Sequence, residues 1–174
     1  MEGKETMRTR SRSYTRLARP GPLLVLFAVC AFTQDSGDKL VGVWKMHAAA
    51  SDFPAPNPPA ALTMSIEKRG PASYQTIFDI VDKDGKKTRN ESLRTFDGKW
   101  RPVENQPGLT QSCEVLDANT LRCTWKQNEK VVSDALARFS EDGRTQFVQR
   151  TIFGKDGRPS SGVVVYEKQV SHGS

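Results

Sequence analysis

The sequence is poor in the residue types that carry most familiar chemistry. Its two histidines, His47 and His172, and three cysteines, Cys30, Cys113 and Cys123, show no His-x-x-x-His or Cys-x-x-Cys spacing. Metal ligation is therefore not expected, and neither is a histidine-driven nucleophile. A nucleophile elbow, a phosphate loop and a dinucleotide fingerprint are also missing. No catalytic residue and no cofactor is assigned, and the chain is not expected to be an enzyme. Apolar periodicity of the helical kind is not sustained anywhere, so helix is a minor component. No apolar run is long enough to span a bilayer comfortably.

Charge excludes a further class. The formal net charge is +6, but residues 1–31 hold Lys4, Arg8, Arg10, Arg12, Arg16 and Arg19 against Glu2 and Glu5. That segment accounts for +4 and leaves +2 for the remaining chain, too little for a nucleic-acid surface. The basic head runs into Leu23-Leu24-Val25-Leu26-Phe27-Ala28-Val29 and then Cys30-Ala31. A positive segment, a short apolar run and small residues make a secretory signal, with removal expected after Ala31. The alternatives are an uncleaved anchor and a lipoprotein with Cys30 as acceptor, although Val29 departs from the usual small residue there. The expected order is a signal over 1–31, a flexible lead over 32–39, one domain over 40–169 and a tail over 170–174. After cleavage no membrane span is expected, and the protein is read as a secreted or periplasmic monomer.

What the chain does contain is strand. Leu109 to Lys126 reads as a hairpin turning at Asp117-Ala118-Asn119, with Asn119 taking a left-handed backbone and Leu116 facing Thr120. Counting back sets Cys113 opposite Cys123, on the same face as Val115, Leu121 and Trp125. With Cys30 lost in the signal, the two remaining cysteines form an even pair, expected to be a disulfide in an exported protein. Two buried free thiols are the alternative.

Further strands follow at Leu40–His47, Leu62–Lys68, Ser73–Asp82, Lys87–Phe96, Trp100–Val103, Lys130–Ser140, Thr145–Phe153 and Gly162–Gln169. Asp84-Gly85, Asp97-Gly98, Asp142-Gly143 and Asp156-Gly157 supply tight-turn chemistry between neighbours. Pro54, Pro56, Pro58 and Pro59 keep residues 48–61 out of helix and central strand, apart from a short helical turn near Ala48. A meander of this kind has an apolar face to cover and two edges to hide, and curling into a barrel answers both. The expectation is all-β: a single antiparallel up-and-down β-barrel of about eight to ten strands.

Two motifs sharpen this. Gly42-Val43-Trp44-Lys45-Met46 resembles the Gly-x-Trp opening of the lipocalins and the Gly-Thr-Trp-Lys opening of the fatty-acid-binding proteins. Val164-Val165-Tyr166-Glu167-Lys168 resembles the last strand of the latter, and residues 40–169 as a whole resemble lipocalin-like domains of exported bacterial proteins. The resemblance implies that Trp44 closes one end of the barrel, with direct ligand contact as the alternative. It also implies an interior that takes a small apolar or amphipathic molecule. Tyr166, Tyr74, Phe78, Met64, Gln111 and Trp125 are the residues expected to meet it. The arginine that holds a carboxylate in fatty-acid-binding proteins is replaced by Val164, so a fatty acid is implied only if Arg94, Arg122 or Arg150 points inward. Carrier or sequestering protein is the leading reading. An envelope interaction module or barrel-type inhibitor with a packed interior comes second, and a cryptic isomerase or hydrolase third.

Overall fold

A computed structural model describes residues 39–170. The signal and most of both the flexible lead and the C-terminal tail lie outside the described residues. Ten antiparallel strands form one sheet. They are β1 (Gly42–Met46), β2 (Ala61–Lys68), β3 (Ser73–Val81), β4 (Lys87–Thr95), β5 (Arg101–Pro102), β6 (Leu109–Asp117), β7 (Thr120–Gln127), β8 (Lys130–Phe139), β9 (Thr145–Phe153) and β10 (Pro159–Lys168). A 3-10 turn at Ala48–Ala50 is the helical element between β1 and β2.

Apart from β4 and β5, strands adjacent in sequence are adjacent in the sheet, and the first pairs with the last: Trp44 faces Lys168 and Met46 faces Tyr166. The ladder does not run all the way round. Its two ends are β4 and β5, so the expected up-and-down barrel of about eight to ten strands is present with a gap in its hydrogen bonding. Strand β5 spans two residues, one of them a proline without an amide hydrogen; it pairs with β6 but does not extend the ladder to β4. A seam remains between β4 and β6. It is bridged by an isolated Phe96–Cys113 pairing and by the Gln111 side-chain amide, which donates to the Leu93 carbonyl at 2.6 Å.

The turns explain why the meander holds its register. Gly85, Gly98, Gly143 and Gly157 all have positive φ, between 66° and 81°. In three of these turns the aspartate before the glycine accepts the amide two residues on: Lys99 to Asp97, Arg144 to Asp142 and Arg158 to Asp156. At Gly85 the acceptor is Asp82, which takes the amides of Asp84 and Lys86. The central hairpin departs in one detail. Asp117 pairs with Thr120 around a two-residue turn, and the bulge falls at Leu116. Asn119 is not among the residues with positive φ, because the Asp117 carboxylate accepts its amide and holds the turn without it. The bulge absorbs the difference in count, so Cys113 and Cys123 are still opposite one another and are joined as a disulfide.

Alternation along each strand sends Leu62, Met64 and Ile66 of β2, Leu121 of β7, Phe139 of β8 and Val164 and Tyr166 of β10 into one core. Trp44 is fully buried there, donates its indole hydrogen to the Leu40 carbonyl at 2.8 Å and meets the Phe139 ring at a tilt of 55°, with centroids 5.8 Å apart. Lys168 lies over its other neighbourhood, with the ammonium 5.2 Å from the ring.

The proline-rich segment continues from this end of β1. After the Ala48–Ala50 turn it returns to β10, where the Asp52 amide donates to the Val163 carbonyl and Ser51 accepts from the Val165 amide. Gly162 makes this possible: a Cβ there would overlap the Asp52 carbonyl oxygen and crowd the Pro54 nitrogen. Phe53 then packs against the core, and Asn57 and Pro59 reach the rim of the interior.

Candidate ligand-binding site

The interior is not filled by side chains. A cavity of about 1350 Å³ lies between the two halves of the sheet. One wall is apolar and comes from β2 and β3: Leu62, Met64, Ile66, Phe78 and Ile80. These residues stand on the inward phase of two strands that pair Met64 with Phe78 and Leu62 with Ile80. The facing wall is mixed, with Gln111 of β6, Trp125 of β7, Gln146 and Arg150 of β9, Tyr166 of β10 and Arg94 of β4.

Of the six residues expected to meet a ligand, five line this cavity: Tyr166, Phe78, Met64, Gln111 and Trp125. Tyr74 does not. It is buried on the inward face, but its ring is spent on an edge-to-face contact with Phe96 at 5.7 Å, close to the seam. Trp44 is likewise absent from the cavity lining and is fully buried within the core.

Among the three arginines singled out, Arg122 faces outward, where Asp134 accepts from its Nε at 2.9 Å. Arg94 and Arg150 face inward. Arg94 is enclosed by protein, and the surface it retains belongs to the cavity wall. Burial, reinforced by the nearby Arg150 charge, pulls its guanidinium down to about 10. Burial also lowers Arg150. No carboxylate acts on either group, and the Nε of each is buried without a hydrogen-bond partner. The charges are steadied by aromatic faces instead. Arg94 lies 5.2 Å from the Phe78 ring centroid and 5.6 Å from that of Trp125, and Arg150 lies 5.9 Å from Trp125.

Tyr166 completes the cluster. Burial raises its phenol, with the charges of Arg150 and Arg94 pulling the other way, so it stays a neutral hydroxyl at physiological pH. Gln111 and Gln146 each leave a side-chain carbonyl oxygen buried and unpartnered. A folded protein rarely leaves this many buried polar atoms unsatisfied in one place. Glu67, Asp79, Glu91 and Glu114 are exposed, and no carboxylate acts on the two inward arginines.

Neither a family model nor a curated protein matches the sequence. Solved structures do match the fold. The chain is similar to a point mutant of the fluorescent protein UnaG, with a TM-score of 0.52, 13% identity, and 78% of this chain and 99% of that one covered. Wild-type UnaG gives a TM-score of 0.52 at 13% identity, covering 76% and 98%. At this identity the likeness bears on architecture, and it agrees with the barrel of lipocalin and fatty-acid-binding type that the two end motifs implied.

Proposed function

We propose that this protein is exported and binds a small hydrophobic or amphipathic molecule inside its barrel, as a carrier or sequestering protein. The observation that supports this most directly is the cavity of about 1350 Å³, walled by Met64, Phe78 and Ile80 on one side and by unsatisfied polar groups on the other. Ligand sites have this character: concave, mainly apolar and furnished with a few convergent polar groups. An interior filled by side chains, as a purely structural module requires, would leave no such space. Export is supported by the basic and apolar N-terminal pattern and by the Cys113–Cys123 disulfide, a bond that persists in oxidising compartments.

The test is native mass spectrometry of gently purified protein, with uptake of an environment-sensitive apolar dye as the second measurement. A bound small molecule, or dye uptake that Phe78→Asp abolishes, is the expected result. Protein that emerges empty and takes up no apolar compound overturns the proposal.

A further inference from the structure

The two inward arginines come from strands far apart in the ladder, β4 and β9, yet both lie over the Trp125 indole. The Nε of each is buried without a hydrogen-bond partner, the rest of each guanidinium faces the cavity, and neither has an acidic partner. Two like charges facing one cavity repel one another and are partly stripped of hydration, so the site is short of negative charge. Beyond the aromatic faces of Phe78 and Trp125, no surrounding group supplies that charge. Tyr166 is neutral, Gln111 is tied to the seam through Leu93, and no carboxylate, Glu91 of the cavity lining included, acts on either guanidinium. A ligand with one negative charge would neutralise one arginine and leave the other buried and unpaired.

Resting on the binding function proposed above, we infer that the polar end of the cavity accepts a compact head group with two negative charges, gripped by Arg94 and Arg150, while the apolar body lies along Met64 and Phe78. A phosphate monoester is the simplest such head, and two carboxylates on one carbon are its organic counterpart. Guanidinium groups suit both, because each offers parallel N–H donors to a pair of oxygens. Trp125 supports both cations through its face and leaves their N–H edges free for the ligand. The chemistry is binding only, with no bond made or broken.

The experiment is a calorimetric titration of the purified, delipidated full chain with decyl compounds that share one tail and differ in the head, each below its micelle-forming concentration. At pH about 8, decyl phosphate and decylmalonate carry two charges, decyl sulfate and decanoate carry one, and decanol carries none. At least one dianion is expected to bind about tenfold or more tightly than its matched monoanion. Phosphate against malonate then distinguishes the two head chemistries. Arg94→Met or Arg150→Met should abolish the dianion preference, and the wild-type series stands alone if a variant fails to fold. Equal affinity across the charge series overturns the two-charge head while leaving the carrier function intact. Failure of every compound, decanol included, overturns both.

Discussion

Arg94 and Arg150 share one aromatic partner, with guanidinium carbons 5.6 and 5.9 Å from the centroid of the Trp125 ring. Their strands are separated by most of the ladder, so only the curl of the sheet brings the two charges together. The pair links folding to function: whatever makes the empty barrel less stable is available to be relieved on binding.

That link gives a first prediction. Removing one of these unpaired cations should stabilise the ligand-free protein, since even a buried ion pair is often replaced by apolar side chains with a gain of about 1–4 kcal/mol, and these partly buried cations lack a partner. Arg94→Met and Arg150→Met are each expected to raise the melting temperature of delipidated protein. The double variant should gain less than the two gains together, because the repulsion is relieved by either change. Denaturant melts of the four proteins complete the cycle. Lower stability in both single variants would show that the arginines are compensated within the barrel.

The disulfide closes a loop with a sequence separation of 10, within a hairpin that is already zipped by its ladder. Short loops gain least from cross-linking, so reduction, or Cys113→Ala combined with Cys123→Ala, is expected to cost about 2 kcal/mol. Equal melting temperatures with and without a thiol reductant would contradict the bond.

Trp44 and Trp125 should separate stability from binding. Trp44 is fully buried and hydrogen-bonded to the Leu40 carbonyl, so Trp44→Ala is expected to cost about 4 kcal/mol and Trp44→Phe less, with an orphaned carbonyl left behind. Trp125 is half-buried on the cavity wall, and Trp125→Ala should weaken ligand binding with the smaller loss of stability. Dye titration and thermal melts on the same preparations measure both.

Acid should loosen the turn that carries the chain from β4 to β5. Asp97 accepts two hydrogen bonds from the Arg101 guanidinium, both at 2.6 Å, and the Lys99 amide at 3.1 Å. The Arg101 bonds, ahead of the Lys99 contacts, hold its carboxyl well below the usual carboxylate range. A depressed folded-state value stabilises the protein above the unfolded value of about 3.8, and that stabilisation is lost as the pH falls below it. Asp97→Asn is therefore expected to flatten the fall in melting temperature at acid pH. An unchanged acid profile would remove Asp97 from the account.

Much of this architecture was legible because it rests on local rules. Period-two alternation placed Met64, Phe78 and Tyr166 inward, and Asp-Gly chemistry fixed the turns. The arginine site was harder to see, since β4 reads Lys-Thr-Arg-Asn-Glu-Ser-Leu-Arg-Thr and is polar on both phases. Its one leucine, Leu93, points out and is 52% exposed, so hydrophobicity indicates the wrong face. The usable signal was register: counting from the Asp84-Gly85 turn sets Arg94 opposite inward-facing Tyr74. Tyr74 was placed on the correct face, but whether an inward ring reaches the cavity or packs on Phe96 depends on where the seam falls. No local pattern encodes that.

The same limit applies to Gly162, which the sequence presents only as the start of a strand. The strap over residues 51–60 lies so close to β10 there that a side chain has no room: a Cβ at position 162 would run into the Asp52 carbonyl. The atom it meets is backbone, which cannot rotate away as a side-chain tip can. Gly162→Ala must therefore push the strap outward and strain the hydrogen bond from the Asp52 amide to the Val163 carbonyl, now 2.8 Å. Overpacking of this kind costs about 1–3 kcal/mol. Because the strap continues through Phe53 to Asn57 and Pro59 at the cavity rim, the displacement should also open the interior and speed ligand release. Stopped-flow displacement of a bound dye is expected to show a faster off-rate in Gly162→Ala than in Gly157→Ala, a turn glycine with open space around it. Matching off-rates would show that the strap does not control the mouth.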